Sequence, residues 1–351
     1  MRKFYYVELL RFFSALSVLI YHYQHFFKPH STFSSIDVLQ EKFIQPFYSY
    51  LEILYNYGSY GVPMFWSISG FVFAFVYLGR QKDITGKKFF INRFSRLYPL
   101  HFATLIIVAL LQIVNYKFSG SFQIYALNDI YHFFLNLFFI SGWGFEKGYS
   151  FNAPIWSVSI ELIIYMLFFF TIINLNRYKV KFALLIYLLL LIVDKTEIAG
   201  GDESVIALFV ACGKLFYSGV IVFLLYEKVE KKLYLIFLSI FLIIVSFVGN
   251  FKMFLFFPSM LLFFAALEIF IHDKFKKVFE FFGNLTYAMY LLHIPVQLLI
   301  IFTFNYFNIF DEIFISNYFF IFYIFLMMLL SFLCFKFYER PLFNKIRSSF
   351  S

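Results

Sequence analysis

Charge is scarce in this 351-residue chain: Asp, Glu, Lys and Arg together make up 14% of it, whereas 62% of the residues are hydrophobic. Soluble globular domains average roughly 25% charged and 45–50% apolar residues. Long apolar runs with few charges are typical of helices that cross a bilayer. The composition therefore excludes a soluble domain and predicts an all-α, polytopic integral membrane protein.

Cysteine is also rare, and no repeat or low-complexity tract is present. Cys212 and Cys334 stand singly inside apolar runs, without a CxxC pair or a histidine cluster at ligand spacing, so we expect neither a disulfide framework nor a metal site. The basic N-terminus leads into Glu8 and Arg11 without a small-residue cleavage motif, so we expect the first helix to be retained. Residues 1–351 are thus expected to form a single transmembrane domain.

About ten apolar runs are candidate membrane spans. They comprise residues 5–27, 59–79, 97–115, 155–174, 182–193, 204–225, 233–248, 254–271, 281–302 and 317–338. If a shorter run at 130–142 does not cross, 20 of the 26 loop and terminal Lys and Arg residues lie on one side, as the positive-inside rule requires. We therefore predict that 130–142 is re-entrant or interfacial and that both termini are cytoplasmic. This asymmetry accounts for the net charge of +9, so no nucleic-acid partner is expected, only membrane lipids.

The first span carries two ionisable residues that share one helix face. Arg11 and His22 are eleven residues apart, which is close to three α-helical turns and about 16 Å of rise. Ionisable groups at membrane depth usually face a protein interior and mark a functional site. The structural alternatives are an Arg11 that snorkels or pairs with Glu8, and an interfacial His22.

Other polar residues interrupt later spans, and each has both a structural and a functional interpretation. Arg93 and Arg96 share a helix face at the cytoplasmic end of the third span, where they either bind phosphate or anchor the topology. A buried carboxylate such as Glu161 requires a partner, either His22 or a nearby serine. The remaining candidates are Ser69 in GVPMFWSISGF, His293 in TYAMYLLHIPVQ and Glu339 in YERPLF.

These segments together resemble membrane-bound acyltransferase family 3. The resemblance rests on Arg11 followed by His22, then GVPMFWSISGF, NRFSR, APIWSVSIE, TYAMYLLHIP and YERP, in that order, and covers residues 5–343. Two departures stand out: Pro63 and Leu162 occupy positions where the family often has acidic residues. The chain also lacks the SGNH-type esterase domain of some members, which implies that it reaches its acceptor alone or with a separate periplasmic partner.

The resemblance implies an enzyme of the bacterial cytoplasmic (inner) membrane. Such enzymes move an acyl group, most often acetyl, from cytoplasmic acyl-CoA to a hydroxyl of a surface glycan, an antibiotic or a lipid. By this resemblance His22 is the catalytic histidine, Arg11 its required partner, and Arg93 and Arg96 contact the donor. Acetyl-CoA or another acyl-CoA is then the donor, no metal is needed, and the expected acceptor is a glycan or lipid-linked sugar.

The chemistry of these residue types agrees with that implication. O-acylation needs a base to deprotonate a hydroxyl as it attacks a thioester, and His22 has a suitable side chain. Glu161 is the candidate that orients its other ring nitrogen. Arg11 either stabilises oxyanion charge or holds the donor phosphate. A covalent acyl relay through His22 is the alternative route.

A transporter or flippase is the second hypothesis. Its buried Arg, His and Glu residues would form a proton or substrate pathway. Many transporters contain paired broken helices in two corresponding halves, and residues 204–338 contain no counterpart of GVPMFWSISG. The sequence therefore favours the enzyme.

Overall fold

The computed structural model describes residues 3–27, 44–78, 85–196, 204–248, 251–309 and 311–350. It divides the chain into two compact units. The first comprises Met1–Ser14, Gly61–Phe89 and Ile160–Asn284, and the second comprises Ala15–Tyr60, Phe90–Ser159 and Leu285–Ser351. The single domain expected over residues 1–351 therefore stays a prediction.

Every regular element in the described part of the chain is helical. The α-helices are α1 (Tyr5–Tyr21), α2 (Tyr48–Tyr57), α3 (Gly61–Tyr77), α4 (Gly86–Ser119), α5 (Ile130–Leu137), α6 (Trp156–Tyr178), α7 (Val180–Asp194), α8 (Val205–Lys228), α9 (Lys232–Phe247), α10 (Met253–Ala266), α11 (Asp273–Tyr306), α12 (Asn317–Cys334) and α13 (Arg340–Phe350). Short 3-10 helices lie between several of them, and a π-helical turn, Phe335–Glu339, joins α12 to α13.

The protein is an all-α polytopic membrane protein, as predicted. Seven helical stretches of the described chain are long and apolar enough to cross a bilayer, and they cover seven of the ten predicted spans. The other three predicted spans correspond to α1, α7 and α9, which have 17, 15 and 16 residues. A crossing needs about 20 residues, so the count of ten and the side of each terminus stay predictions.

Two segments differ from the sequence-based expectation, and a third is compatible with it. The first span was predicted as one helix over 5–27, but α1 ends at Tyr21 and His22–Phe26 forms a 3-10 helix. The stretch before residue 97, predicted as a loop, is helical from Gly86, because hydropathy detects only the apolar part of a helix. The run at 130–142 contains the eight-residue helix α5, about 12 Å long, which is too short to span a bilayer alone.

Some predicted features lie outside the described residues. These are Lys28 and Lys42, two of the six loop Lys and Arg residues predicted on the outer side, and residues 80–84, whose Arg80 and Lys82 are among the 20 predicted on the cytoplasmic side.

In the first unit, α3 and α8 pack with their backbones in contact. A Cβ atom added at Gly70 would lie 1.7 Å from the carbonyl oxygen of Phe216, and one added at Gly219 would lie 1.9 Å from that of Ser67. Only glycine permits this approach, which is the small-residue packing typical of membrane helices. Gly70 of the GVPMFWSISGF segment is therefore a packing residue.

The start of α1 is held within the same unit. The carboxylate of Glu268 accepts hydrogen bonds from the backbone N–H groups of Tyr5 and Tyr6, at 3.0 and 3.1 Å. These amides have no partner inside the helix, so Glu268 acts as its N-terminal cap and also complements the helix dipole. Phe4 packs edge-on against Phe71, at 4.9 Å between ring centroids.

The core of the second unit is aromatic. Tyr23, fully buried in the 3-10 helix, packs against Phe26, Phe320 and Tyr323, and its hydroxyl donates to the carbonyl of Phe314 at 2.9 Å. These contacts fix the face of the 3-10 helix next to the one that carries its histidines. The aromatic side chains are thus structural here rather than lipid-facing.

Candidate active site

Three histidine rings lie together in the second unit. His22 and His25 belong to the 3-10 helix, and their ring centroids are 5.0 Å apart. A 3-10 helix has three residues per turn, so side chains at i and i+3 eclipse each other. His293 of α11 stacks on His22, with a centroid distance of 4.9 Å and an interplanar angle of 30°. The end of the first span and the middle of α11 thus form one histidine cluster, defined by these three residues.

The hydrogen bonds of His22 determine its neutral tautomer. Its Nδ1 atom lies 3.0 Å from the carbonyl oxygen of Val18, one turn earlier. A carbonyl oxygen only accepts, so Nδ1 carries the hydrogen and the lone pair lies on Nε2. No residue in the described part of the chain makes a hydrogen bond to Nε2, and the His22 side chain is partly exposed. This nitrogen is therefore available to accept a proton.

The other two histidines are buried. His25 Nδ1 lies 3.1 Å from the side-chain oxygen of Gln297, and Gln297 also donates to the backbone carbonyl of His22 at 2.8 Å. His293 is 1% exposed, and among the described residues neither of its ring nitrogens makes a well-formed hydrogen bond; the carbonyls of Met289 and Tyr290, in the preceding turn, are the acceptors nearby.

The APIWS segment contacts the same stretch of α11. The hydroxyl of Tyr290 lies 2.8 Å from the carbonyl of Pro154 and 2.9 Å from the hydroxyl of Ser157. Asn152 donates to the carbonyl of Leu291 at 2.9 Å. These bonds hold the turn of α11 that precedes His293, so the APIWS part of the predicted APIWSVSIE motif meets the TYAMYLLHIP motif within the second unit.

Arg11 lies in the first unit and is paired with Glu8. Its Nη1 atom is 2.7 Å from Glu8 Oε2, as the structural alternative predicted. The guanidinium has five N–H donors, and in the described chain this is its one hydrogen bond. The Glu8 carboxylate lies against Gly283, where an added Cβ would be 2.2 Å from Oε2. Arg11 is thus held by one carboxylate and keeps donors for a ligand.

The role predicted for Glu161, to orient the ring of His22, stays a prediction. The acceptor at His22 Nδ1 is the Val18 carbonyl, which belongs to the last turn of α1. Glu161 is buried in the first unit, within electrostatic range of the Cys212 thiol. Ser69, also in the first unit, lies partly buried in α3, next to Gly70 of the helix contact.

The donor-side candidates lie on α4, in the second unit. Arg93 and Arg96 are three residues apart in one helix, and Arg96 is exposed. Tyr287 of α11 donates to the carbonyl of Leu97 at 2.6 Å and lies within electrostatic range of both Arg96 and Glu339. Two predicted site residues therefore come together around one tyrosine.

Another buried histidine, His132, lies in the segment that follows α4. Asp129 is the N-cap of α5: its Oδ1 atom accepts from the backbone N–H of His132 and from His132 Nδ1, both at 2.8 Å. The Nε2 atom of His132 accepts from the backbone N–H of Lys147 at 3.3 Å. The two hydrogen bonds that Asp129 accepts lower the pKa of its carboxyl group. The bond from the backbone N–H of His132 has the larger effect.

Sequence reasoning missed two residues of the histidine cluster. His25, which is 2% exposed and bonded to Gln297, was not among the predicted site residues. Gln297, fully buried, was not identified at all. Its signal was present: it is a polar residue in an apolar run, four residues after His293 and so on the same face of α11.

No group of three or more His, Cys, Asp or Glu side chains within the described ranges has the geometry of a metal site. The first unit also contains a groove of about 740 Å³ between the ends of α6 and α8. Lys179, Lys181 and Lys228 are among its lining residues, and none of the predicted site residues is.

Comparison with known proteins agrees with the arrangement of motifs. A family model described as an acyltransferase domain matches residues 4–336. Comparison with curated proteins and with solved structures finds no match. Because the family model covers nearly the whole chain, the protein belongs to acyltransferase family 3 and is a membrane acyltransferase that transfers groups other than amino-acyl groups.

Proposed function

We propose that the protein is an O-acyltransferase, in the simplest case an O-acetyltransferase, that uses cytoplasmic acyl-CoA and acylates a hydroxyl of a cell-surface glycan at a bacterial inner membrane. The observation that supports this most directly is the tautomer of His22. Its Nδ1–H donates to the Val18 carbonyl, so Nε2 presents a lone pair without a partner in the described chain. A hydroxyl acceptor needs such a base, whereas a transport pathway does not need a fixed tautomer.

The proposed step is a direct transfer. As the acceptor oxygen attacks the thioester carbonyl carbon, its proton moves to His22 Nε2. The C–O bond forms, the C–S bond breaks, and His22 returns the proton to the departing thiolate, which leaves as the free thiol of coenzyme A. In the alternative relay, Nε2 itself attacks the thioester carbonyl carbon, and the C–S bond breaks to release coenzyme A as its thiolate. The acceptor hydroxyl then attacks the acyl-imidazole carbon, the C–N bond breaks to free Nε2, and the hydroxyl proton passes to the thiolate.

The charged residues provide candidate donor contacts. Arg93 and Arg96 present two guanidinium groups from one helix, a geometry that suits coenzyme A phosphates. Arg11, with the N–H donors that Glu8 leaves unused, suits either the developing oxyanion or a donor phosphate.

The surroundings of the histidine cluster suit a sugar acceptor. Tyr125 lies against His25, at 5.6 Å between ring centroids, and within electrostatic range of Tyr21, Tyr149 and Tyr290. Tyrosine combines an apolar ring with a hydrogen-bonding hydroxyl, as the faces and edges of a sugar require. A glycan or a lipid-linked sugar is therefore the proposed acceptor class.

The test uses purified protein in detergent with labelled acetyl-CoA and the host's surface glycan. Wild-type protein should transfer label to the glycan, and His22→Ala should not. A transporter would give no covalent product without a membrane to cross. Two results together would overturn the proposal: wild-type protein neither transfers nor hydrolyses acyl-CoA in detergent, and vesicles from the same preparation show His22-dependent flux. An acyl group trapped on His22, detected by mass spectrometry, would select the relay.

A further inference from the structure

Gln297 connects the two elements of the histidine cluster. It is fully buried in α11, four residues after His293, and its side chain contacts both histidines of the 3-10 helix. Nothing in the reaction proposed above uses it. Its amide oxygen faces the ring of His25 and its amide nitrogen binds the backbone of His22. One side chain therefore fixes the positions of both histidines.

The polarity of the two hydrogen bonds is fixed by chemistry. The backbone carbonyl of His22 only accepts, so the amide nitrogen of Gln297 must face it, at 2.8 Å. The amide oxygen then faces His25 Nδ1, at 3.1 Å, and that nitrogen must carry a hydrogen. Gln297 therefore sets the tautomer of His25 and holds the backbone of His22 at the same time.

The ring of His22 is restrained from three directions. Its Nδ1–H is bound to Val18, its face stacks on His293, and its backbone carbonyl is bound to Gln297. The 3-10 helix that carries it has only five residues, and its N-cap residue Tyr21 makes no side-chain cap. A short 3-10 helix is a weak element by itself, so bonds from outside determine its position.

We infer that Gln297 is a positioning residue of the acyltransferase: it clamps His25 and the His22 backbone so that His22 Nε2 points at the acceptor hydroxyl. This inference rests on the proposed role of His22 as the base. Gln297 touches no reacting atom and acts through the two histidines.

The chain offers a matched control. Gln112 of α4 is 1% exposed and also bridges two groups with its amide: it donates to the carbonyl of Gln123 at 2.7 Å and accepts from the Gln123 N–H at 3.1 Å. Both contacts are to one backbone residue and neither involves a histidine. The same substitution removes two amide hydrogen bonds at each position. Only the pair made by Gln297 involves the histidine cluster.

The first experiment compares Gln297→Leu with Gln112→Leu. Transfer rates are measured in detergent per folded molecule, with folded protein quantified by size-exclusion fluorescence. A displacement of about 1 Å in a reacting group costs about 10²-fold in rate. We expect kcat to fall by about this factor in Gln297→Leu, with KM for both substrates nearly unchanged, and to stay near wild type in Gln112→Leu. Equal effects at the two positions would overturn the inference.

The second experiment uses the near-isosteric Gln297→Glu, which decides the matter if the leucine variant does not fold. The introduced carboxylate still accepts from His25 Nδ1 but cannot donate to the His22 carbonyl. Once protonated, it regains an O–H donor, so activity relative to wild type should recover as the pH falls. In Gln112→Glu the ratio should be flat. A flat ratio in both variants would overturn the inference.

The outcomes separate this inference from the proposed function. If His22→Ala keeps full transfer activity, the proposed base is wrong. If His22→Ala is inactive and the Gln297 variants transfer like wild type, only the positioning role is wrong. A double-mutant cycle that combines Gln297→Leu with His25→Leu adds a further check. If Gln297 acts through His25, the double variant should transfer no more slowly than the slower single variant. Rate losses that multiply in the double variant would contradict this.

Discussion

His22 and His132 are both held within the second unit, but their ring nitrogens differ. His132 has the carboxylate neighbour expected of a catalytic histidine: Asp129 binds its Nδ1, and the Lys147 N–H binds its Nε2. His22 has no carboxylate at Nδ1, only the Val18 carbonyl, and its Nε2 has no hydrogen-bond partner among the described residues. A histidine with both nitrogens engaged stabilises the fold. The available Nε2 of the partly exposed His22 suits the base that we propose.

Removing the imidazole ring of His22 or of His132 tests the difference between the two histidines most strongly. His22→Ala should lower the transfer rate by about 10²–10⁴, the usual contribution of a general base. His132→Ala should keep the rate per folded molecule and lower the melting temperature, because Asp129 loses its side-chain partner. Both are measured by acyl transfer in detergent with a parallel thermal scan. A slow His132→Ala enzyme at normal folded yield would reverse the two assignments.

If Nε2 of His22 is the base, other residues must bind the acyl-CoA. Arg96→Ala should raise the KM for acyl-CoA about tenfold or more, since a hydrogen bond to a charged group contributes about 1.5–3 kcal/mol. Arg96→Lys should restore only part, because a point charge cannot bind phosphate bidentately. Folding should be little affected, because Arg96 is exposed. An unchanged KM in both variants would leave NRFSR a topological anchor.

Arg11 is an intermediate case: it is bound to the Glu8 carboxylate, and the residues that the structure describes leave its other N–H donors unused. Gly283→Ala inserts a methyl group where Glu8 Oε2 lies, 2.2 Å from the added carbon, so the carboxylate must move. We expect a loss of about 1–3 kcal/mol in stability, as for other overpacked sites, and a slower transfer rate. Gly86→Ala is the control, because its nearest atom is a ring carbon of Phe169 at 3.2 Å. Equal behaviour of the two variants would argue against a positioned Glu8.

The carboxylate beside His132 should affect only stability. Asp129→Ala removes the N-cap of α5 and the bond to the His132 ring, which should cost about 1 kcal/mol, the usual effect of losing a cap. Asp129→Asn keeps a capping oxygen and should lose less. The comparison uses melting temperatures in detergent and transfer rates at saturating donor. A rate loss in Asp129→Ala that Asp129→Asn does not share would assign His132 a role in the reaction.

The smallest expected effect concerns pH. Burial raises the pKa of Glu146 from 4.5 to about 7, against the weaker effect of its hydrogen bond from Ser150. The folded protein keeps this proton where the unfolded chain has lost it, so its stabilising contribution is full below pH 4.5 and falls as the pH rises to about 7. Glu146→Gln should flatten this part of the curve of melting temperature against pH. The exposed Glu230→Gln should leave its shape unchanged.

Apolar patterning predicted a helix at each of the ten spans, because burial in lipid imposes long apolar runs. It missed the helical start of α4, residues 86–96, since lysine and arginine are good helix formers that hydropathy counts as loop. Two of the three histidines in the cluster were predicted as site residues. His22 and His293 stand out as ionisable residues in apolar runs, but Gln297 and the Val18 carbonyl act through tertiary contact and a backbone atom, which sequence spacing does not encode.

The π-helical turn Phe335–Glu339 shifts the register of the last helix. Such a turn holds an additional residue, and since each residue rotates an α-helix by about 100°, all that follows is rotated by that angle about the axis. Tyr338 lies inside the turn, and its hydroxyl donates to the carbonyl of Pro99 at 3.0 Å. A helical wheel drawn for α12 therefore assigns the wrong face to every residue of α13. One residue of this turn has the same effect on the helical register as a one-residue insertion. The faces of α12 and α13 must therefore be assigned with two separate helical wheels.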